Sequence, residues 1–263
     1  MKIRKGIILA GGLGTRLYPL TKVVSKQLLP IYNKPMIYYP LTVLMLSGIR
    51  EILIITTPKD QHQFKNLLGD GSQWGIKLSY KIQETPKGIA HAFIIAEKFL
   101  DESPSALILG DNIFYGHGLP DLLKKITMNC GTTILGYHVS NPEQYGVIEF
   151  TSEGSIKSII EKPNIPPSNY AVTGIYFVDK TAPERAKKLK PSKRGELEIT
   201  SLLESYLVSK LLTFEIIGRG YTWLDTGTFS SLLDASNFIK TLTERQGLEL
   251  GSPDDVAHLL NWV

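Results

Sequence analysis

Three glycines and three cations stand close together near the start of the chain: Gly11, Gly12 and Gly14, then Arg16, Lys22 and Lys26. Glycines this dense let the backbone turn tightly and present N–H groups that no Cβ shields. The cations have no acidic neighbour in sequence. The first fifty residues hold eight Lys or Arg, and the first acid is Glu51. Bare amides beside unopposed positive charge suit a polyphosphate. Two common phosphate loops are excluded. The pattern G-x-x-x-x-G-K-[ST] is absent. The dinucleotide fingerprint needs glycine where Leu17 stands, and an acid about 20 residues further on, where none precedes Glu51.

A second group of residues suits the other half of a phosphate reaction. Asp111 follows an apolar run in L-I-L-G-D-N. An acid at the carboxyl end of a buried strand, facing a phosphate loop, is placed to hold Mg²⁺ together with phosphate oxygens. Gln83, in Q-E-T-P-K-G, has an amide that both donates and accepts, which the edge of a pyrimidine requires. Gln27 can help in the same way, and Gly88 leaves room for a ring. Glu161-Lys162-Pro163 offers an acceptor for sugar hydroxyls and a point charge for a phosphate monoester. On its residues alone, E-K-P reads as a solvated strand end. Arg194, in R-G-E-L-E-I-T, reads either as a further cation for the site or as a surface charge.

Taken together, G-G-x-G-T-R-L-x-P, K-Q-L-L-P, K-P-M-I-Y-Y-P-L, L-G-D-N-I-F-Y-G, P-E-Q-Y-G-V-I-E-F, E-K-P, A-V-T-G-I-Y-F, R-G-E-L-E-I-T and W-L-D-T-G-T resemble the sugar-nucleotidyltransferases. These enzymes join a nucleoside triphosphate to a sugar 1-phosphate. The resemblance runs from about residue 5 to 249 and is nearest to the branch that uses dTTP and glucose 1-phosphate to begin dTDP-sugar synthesis. It implies a nucleotide site of Leu9, Gly11, Gly12, Gly14, Thr15, Arg16, Gln27, Gln83, Gly88 and Asp111. It implies a sugar-phosphate site of Asn112, Tyr145, Gly146, Glu161, Lys162, Val172, Tyr176 and Arg194. Asp225, in W-L-D-T-G-T, is implied as the partner of Asp111 in holding Mg²⁺. Arg16, Lys26, Lys162 and Asp111 are the implied catalytic groups. It also implies a homo-oligomer, a dimer or a tetramer. Two departures stand out. Ser201 follows L-E-I-T where the family usually has Asp. The family's helical tail continues beyond H-L-L-N-W-V, so product feedback and tetramer assembly stay open at this point. Open alternatives are the same chemistry with UTP or another sugar, and a nucleotide-sugar sensor without catalysis.

The whole composition fits that expectation. A chain of 263 residues, 43% hydrophobic and 21% charged, can bury a sizeable core. Net charge is only +4, with no dense basic run and no nucleic-acid reader motif, so nucleic acid is not the expected partner. A single cysteine, Cys130, excludes an internal disulfide. No signal-peptide pattern or membrane-length apolar run is found, which predicts a cytoplasmic protein with no membrane partner.

To bring these residues together, the chain must alternate strand and helix. Apolar runs predict strands at 7–10, 51–56, 77–82 and 105–109, with helices at 35–48, 58–68 and 88–99 between them. Asn33 is expected to cap the first helix. Strand–helix repetition predicts a doubly wound, mostly parallel sheet with ligands at the carboxyl ends of its strands. That is the Rossmann-like α/β/α arrangement which the resemblance implies, the nucleotide-diphospho-sugar transferase fold. After residue 132, strand-like segments at 132–139, 145–150, 155–160 and 171–178 predict an antiparallel region shaping a second pocket. A helix at 197–207, a strand at 212–217 and a helix at 228–242 follow. The expected organisation is one domain over 1–263, with a nucleotide half to about 130, a sugar half from 131 to 228 and C-terminal helices over 228–263.

Overall fold

The computed structural model describes residues 3–12 and 14–263. Apolar β-branched runs form the centre. β1 (Lys5–Ala10) is followed by a short ribbon of β2 (Pro30–Ile31) and β3 (Lys34–Pro35), then by α1 (Tyr38–Leu46), β4 (Glu51–Thr56), α2 (Gln61–Leu68) and β5 (Lys77–Ile82). Next come α3 (His91–Leu100), β6 (Ser105–Leu109), β7 (Asn112–Gly116), α4 (Leu119–Met128) and β8 (Thr132–His138). The second part holds β9 (Gly146–Phe150), β10 (Ile156–Glu161), β11 (Tyr170–Val178), α5 (Ala182–Lys187) and α6 (Ile199–Val208). It ends with β12 (Leu212–Ile217), β13 (Tyr221–Asp225), α7 (Phe229–Gln246) and α8 (Pro253–Leu259).

The main sheet runs β12-β8-β11-β6-β1-β4-β5, with the β9–β10 hairpin branching from the first half of β11. β5, β4, β1 and β6 are mutually parallel. β12 is parallel to β8, and β11 runs antiparallel to both β6 and β8. The sheet is therefore mixed and mostly parallel. Buried strands of this kind carry apolar residues on both faces. Ile8, Ile54 and Ile108 point into one core, which α1, α2 and α4 cover. Ile7, Leu53, Ile55 and Leu107 point into the other, beneath α3, α5 and α6. Three layers result, and the loops after β1, β5 and β6 open at one edge.

The structure revises three expectations about elements. α1 starts at Tyr38 rather than Pro35, because 34–35 pairs with 30–31 instead. Asn33 does not cap that helix; its amide donates to Glu249 at 3.3 Å. Residues 112–116 and 221–225, where no element is expected from the sequence, form an antiparallel ribbon off the main sheet. The cations of the first fifty residues are also not all unopposed. Arg4 is buried and donates to the carbonyls of Ser105, Val178, Asn129 and Gly131 at 2.7–3.1 Å, tying strand ends together. Lys5 pairs with Glu51, Lys34 with Glu249, and Arg50 stacks on Trp262. Lys2 lies outside the described residues.

Candidate active site

The glycine loop leaves β1 at the carboxyl edge, as a parallel strand requires. Gly11 is buried against the Gln83 side chain, whose Oε1 lies 2.8 Å from where a Cβ on Gly11 would stand. The Gln83 Nε2 donates to His91 Nδ1 at 3.1 Å. Gly14 is in the left-handed region, and its carbonyl accepts from Thr21 Oγ1 at 2.9 Å. Thr15–Leu17 forms one 3₁₀ turn that anchors Leu17 in a small core with α7 and holds Arg16 outward. The Arg16 guanidinium lies over Gly227, about one van der Waals contact from its Cα face.

A second 3₁₀ turn, Lys26–Leu28, buries Lys26 and Gln27. Gln27 packs under Gly110, and its Oε1 accepts from Ser25 at 2.7 Å. Lys26 forms an ion pair with Asp111. The other Asp111 oxygen accepts from the Asn112 amide at 2.9 Å. The Asp111 carbonyl accepts from Thr226 Oγ1 at 2.8 Å, which fixes the loop between β6 and β7. Across the ribbon, Asp225 stands directly opposite Asn112.

Of these groups Arg16, Asp111, Asn112 and Asp225 line one cavity of about 220 Å³, while Gly11, Gly12, Gly14, Lys26, Gln27 and Gln83 stand outside its lining. Tyr145, Gly146, Glu161, Lys162, Val172 and Tyr176 line the same cavity. Asp225 is held above the usual carboxylate range by burial and by the nearby Asp111 charge, against the pull of Lys26, Arg16 and Lys162. Two carboxylates in repulsion inside one cavity suit a divalent cation. No group of three or more His, Cys, Asp or Glu side chains is placed for a metal among the described residues. A two-carboxylate seat fits Mg²⁺, which keeps most of its coordination for water and substrate phosphates.

Lys162 has a φ of +43°, a left-handed backbone that a side chain disfavours. Its N–H donates to the Tyr145 carbonyl at 2.9 Å, which holds that turn. Glu161 accepts from Thr200 Oγ1 at 3.3 Å and from Arg194 at 3.1 Å. Arg194 stands outside the cavity lining and divides its charge among Glu161, Glu196 and Glu198. Gly88 corrects the reading of room for a ring. At a φ of +91°, its open side faces the Leu197 backbone, 2.4 Å from where a Cβ would stand. Glycine there serves the docking of 87–90 against 197, through the Leu197 N–H to the Lys87 carbonyl.

Ile89, Leu109, Gln144, Gly174, Ile199, Thr200 and Trp223 also line the cavity and were not singled out from sequence. A signal for Trp223 was present. It lies two residues before Asp225, and positions i and i+2 of a strand share a face.

Burial and the nearby Glu198 push the Glu161 carboxyl above its ordinary range, with Arg194, Lys162 and Thr200 pulling it down. A carboxyl raised in the folded state binds more protons folded than unfolded. Its contribution is fully present below the unfolded value of about 4.3 and is lost as pH rises through the raised value. Glu161→Gln is therefore expected to melt above the parent protein at pH 7. The gap should close below about pH 4, as thermal melts across pH would record.

The chain is similar to known proteins over nearly its whole length. The family described as Nucleotidyl transferase matches residues 5–241. A glucose-1-phosphate thymidylyltransferase of Xanthomonas campestris pv. campestris is 57% identical over all of this chain and 90% of its own. One from Mycobacterium tuberculosis is 53% identical over 98% of this chain and 90% of its own. Among solved structures, a UDP-glucose pyrophosphorylase complexed with UDP-glucose superposes with a TM-score of 0.80 at 28% identity, covering 91% of this chain and 99% of that one.

Proposed function

From the premise that this chain belongs to the nucleotidyl transferase family, on the branch of the glucose-1-phosphate thymidylyltransferases, we propose how its cavity works. The enzyme forms dTDP-glucose and pyrophosphate from dTTP and glucose 1-phosphate, the opening step of dTDP-sugar synthesis. The observation that carries this reading is the β7–β13 ribbon, which sets Asp111 and Asn112 against Asp225 in a cavity shared with Arg16 and Lys162.

The attacking group is a phosphate monoester oxygen. It carries a charge of about −1.5 to −2 at neutral pH, so it needs no general base. It bonds to the α-phosphorus of dTTP while the bond to the bridging oxygen breaks and pyrophosphate leaves in line. Catalysis is positioning and charge neutralisation. Lys162 holds the attacking phosphate, and Glu161 accepts from sugar hydroxyls. Arg194 supports Glu161 from outside the cavity. Arg16 and the amides at Gly11, Gly12, Gly14 and Thr15 receive the pyrophosphate, while Lys26 faces the reacting phosphates. Gln83 and Gln27 read the base near Leu9. Asn112, Tyr145, Gly146, Val172 and Tyr176 enclose the sugar. Asp111 and Asp225 would hold Mg²⁺, which when bound neutralises charge on the triphosphate. Among the described residues no helix is long and apolar enough to cross a membrane. A homo-oligomer is the expected assembly.

An assay of pyrophosphate release with dTTP, glucose 1-phosphate and Mg²⁺ tests this. Turnover is expected, and slower turnover with UTP, since one methyl group is worth about 1–3 kcal/mol in an apolar pocket. Nucleotide binding with no pyrophosphate from either nucleotide would leave a sensor instead.

A further inference from the structure

The Asp111 carboxylate is oriented by a chain of groups whose polarity allows one arrangement. Trp223 is 7% exposed and Asn112 is 2% exposed. The Trp223 Nε1–H donates to Asn112 Oδ1 at 2.6 Å. An indole N–H can only donate. It therefore requires the carbonyl end of the Asn112 amide and turns the NH₂ end the other way. That NH₂ donates to Asp111 Oδ1 at 2.9 Å. The second oxygen of Asp111 faces the Lys26 ammonium, another pure donor. With a donor on each oxygen, the Asp111 side chain is held in one rotamer.

The indole is itself fixed. Tyr145 and Tyr137 pack against its ring at centroid distances of 5.1 and 6.0 Å. β7–β13 pairing sets its register. Gly174 on β11 leaves the space Asn112 needs, since a Cβ there would stand 2.2 Å from Asn112 Oδ1. We propose that Trp223 is a positioning residue for the transfer reaction, acting through the Asn112 amide on the orientation of Asp111. This rests on the assignment of Asp111 and Asn112 to the active site.

The proposal makes a kinetic statement that a packing role does not. Trp223→Phe keeps an aromatic ring between the tyrosines and removes the N–H. The buried Asn112 oxygen then loses its donor, and the amide is free to turn its carbonyl toward Asp111. Expected is a fall in kcat of at least tenfold, with KM for both substrates within threefold. In a cycle with Asn112→Ala, the double variant should be no slower than Asn112→Ala alone, because residues acting as one unit are not additive. Gly174→Ala instead presses a methyl on the Asn112 Oδ1 that receives the indole N–H while leaving the indole in place, and should show the same kcat-selective loss. It also serves as the test if Trp223→Phe melts well below the parent protein.

Folded Trp223→Phe with kcat within twofold of the parent would overturn the proposal. So would multiplicative losses in the cycle, or a loss confined to KM for the sugar phosphate, which would put the indole on the sugar itself. If Asp111→Ala and Asn112→Ala both turn over normally, the site assignment fails and the role of Trp223 falls with it, whereas a loss in both of these variants with none in Trp223→Phe overturns the role of Trp223 alone.

Discussion

Asp111→Asn is expected to lower kcat for pyrophosphate release by about 10³, the upper end for removing one electrostatic group from a water-excluded site. The side chain keeps its shape, and the bonds that hold the loop go to the Asp111 backbone carbonyl, so the fold is spared. What changes is charge. Lys26 is buried and pairs with this carboxylate. Without it the ammonium loses the carboxylate it pairs with, and Asp225 is left as the one carboxylate of the proposed Mg²⁺ seat. The introduced amide also has one acceptor for two donors, so its NH₂ meets either the Asn112 NH₂ or the Lys26 ammonium. Both effects act at the reacting phosphates and reach nucleotide binding less, because Arg16 and the glycine loop stay intact. The expected loss therefore falls on kcat more than on KM. A variant of unchanged melting temperature and a kcat within tenfold of the parent would remove Asp111 from the reaction.

Asp111 also marks the boundary of what its sequence made legible. The glycine loop could be read because it is local: strand, glycines and Arg16 follow one another within about one turn of chain. Asp111 could be read because a buried parallel strand delivers its next residue to the ligand edge of the sheet. Asp225 opposite Asn112 could not be derived from spacing, since the ribbon that joins them links segments more than a hundred residues apart. Its strands are only five residues each, too short for a periodic pattern to declare them. Charge counting misled for a related reason. Arg4, Lys5, Lys34 and Arg50 look unopposed in sequence because their carbonyl, carboxylate and ring partners are distant along the chain. Gly88 was singled out, but for the wrong neighbour: the Leu197 backbone takes the space expected for a ring. In each case an intrinsic residue property was visible, while the partner that gives it meaning was set by tertiary pairing.

Lys162→Gly should separate function from stability at a single position. Lys162 carries a left-handed backbone, φ +43°, at the turn where β10 meets the cavity. Such a conformation costs a side-chain-bearing residue about 1–2 kcal/mol, and glycine little. Glycine also loses more freedom on folding, by roughly 0.5–1 kcal/mol. The balance leaves the variant as stable as the parent, or more stable by up to about 1 kcal/mol. The Tyr145 carbonyl keeps its bond, because the donor is the backbone N–H of residue 162. Activity should move the other way. Removing the point charge on the attacking phosphate is expected to cut kcat/KM for glucose 1-phosphate by about 10²–10³, while KM for dTTP changes little. Lys162→Ala should lose the same activity and melt below Lys162→Gly, since alanine keeps the backbone penalty and lacks the charge. Strain kept at a residue that lines the cavity is what a demand on its position, rather than on stability, would explain. If Lys162→Gly were destabilised as much as Lys162→Ala, the turn would owe its shape to the lysine side chain. If it turned over normally, the sugar phosphate would be held elsewhere.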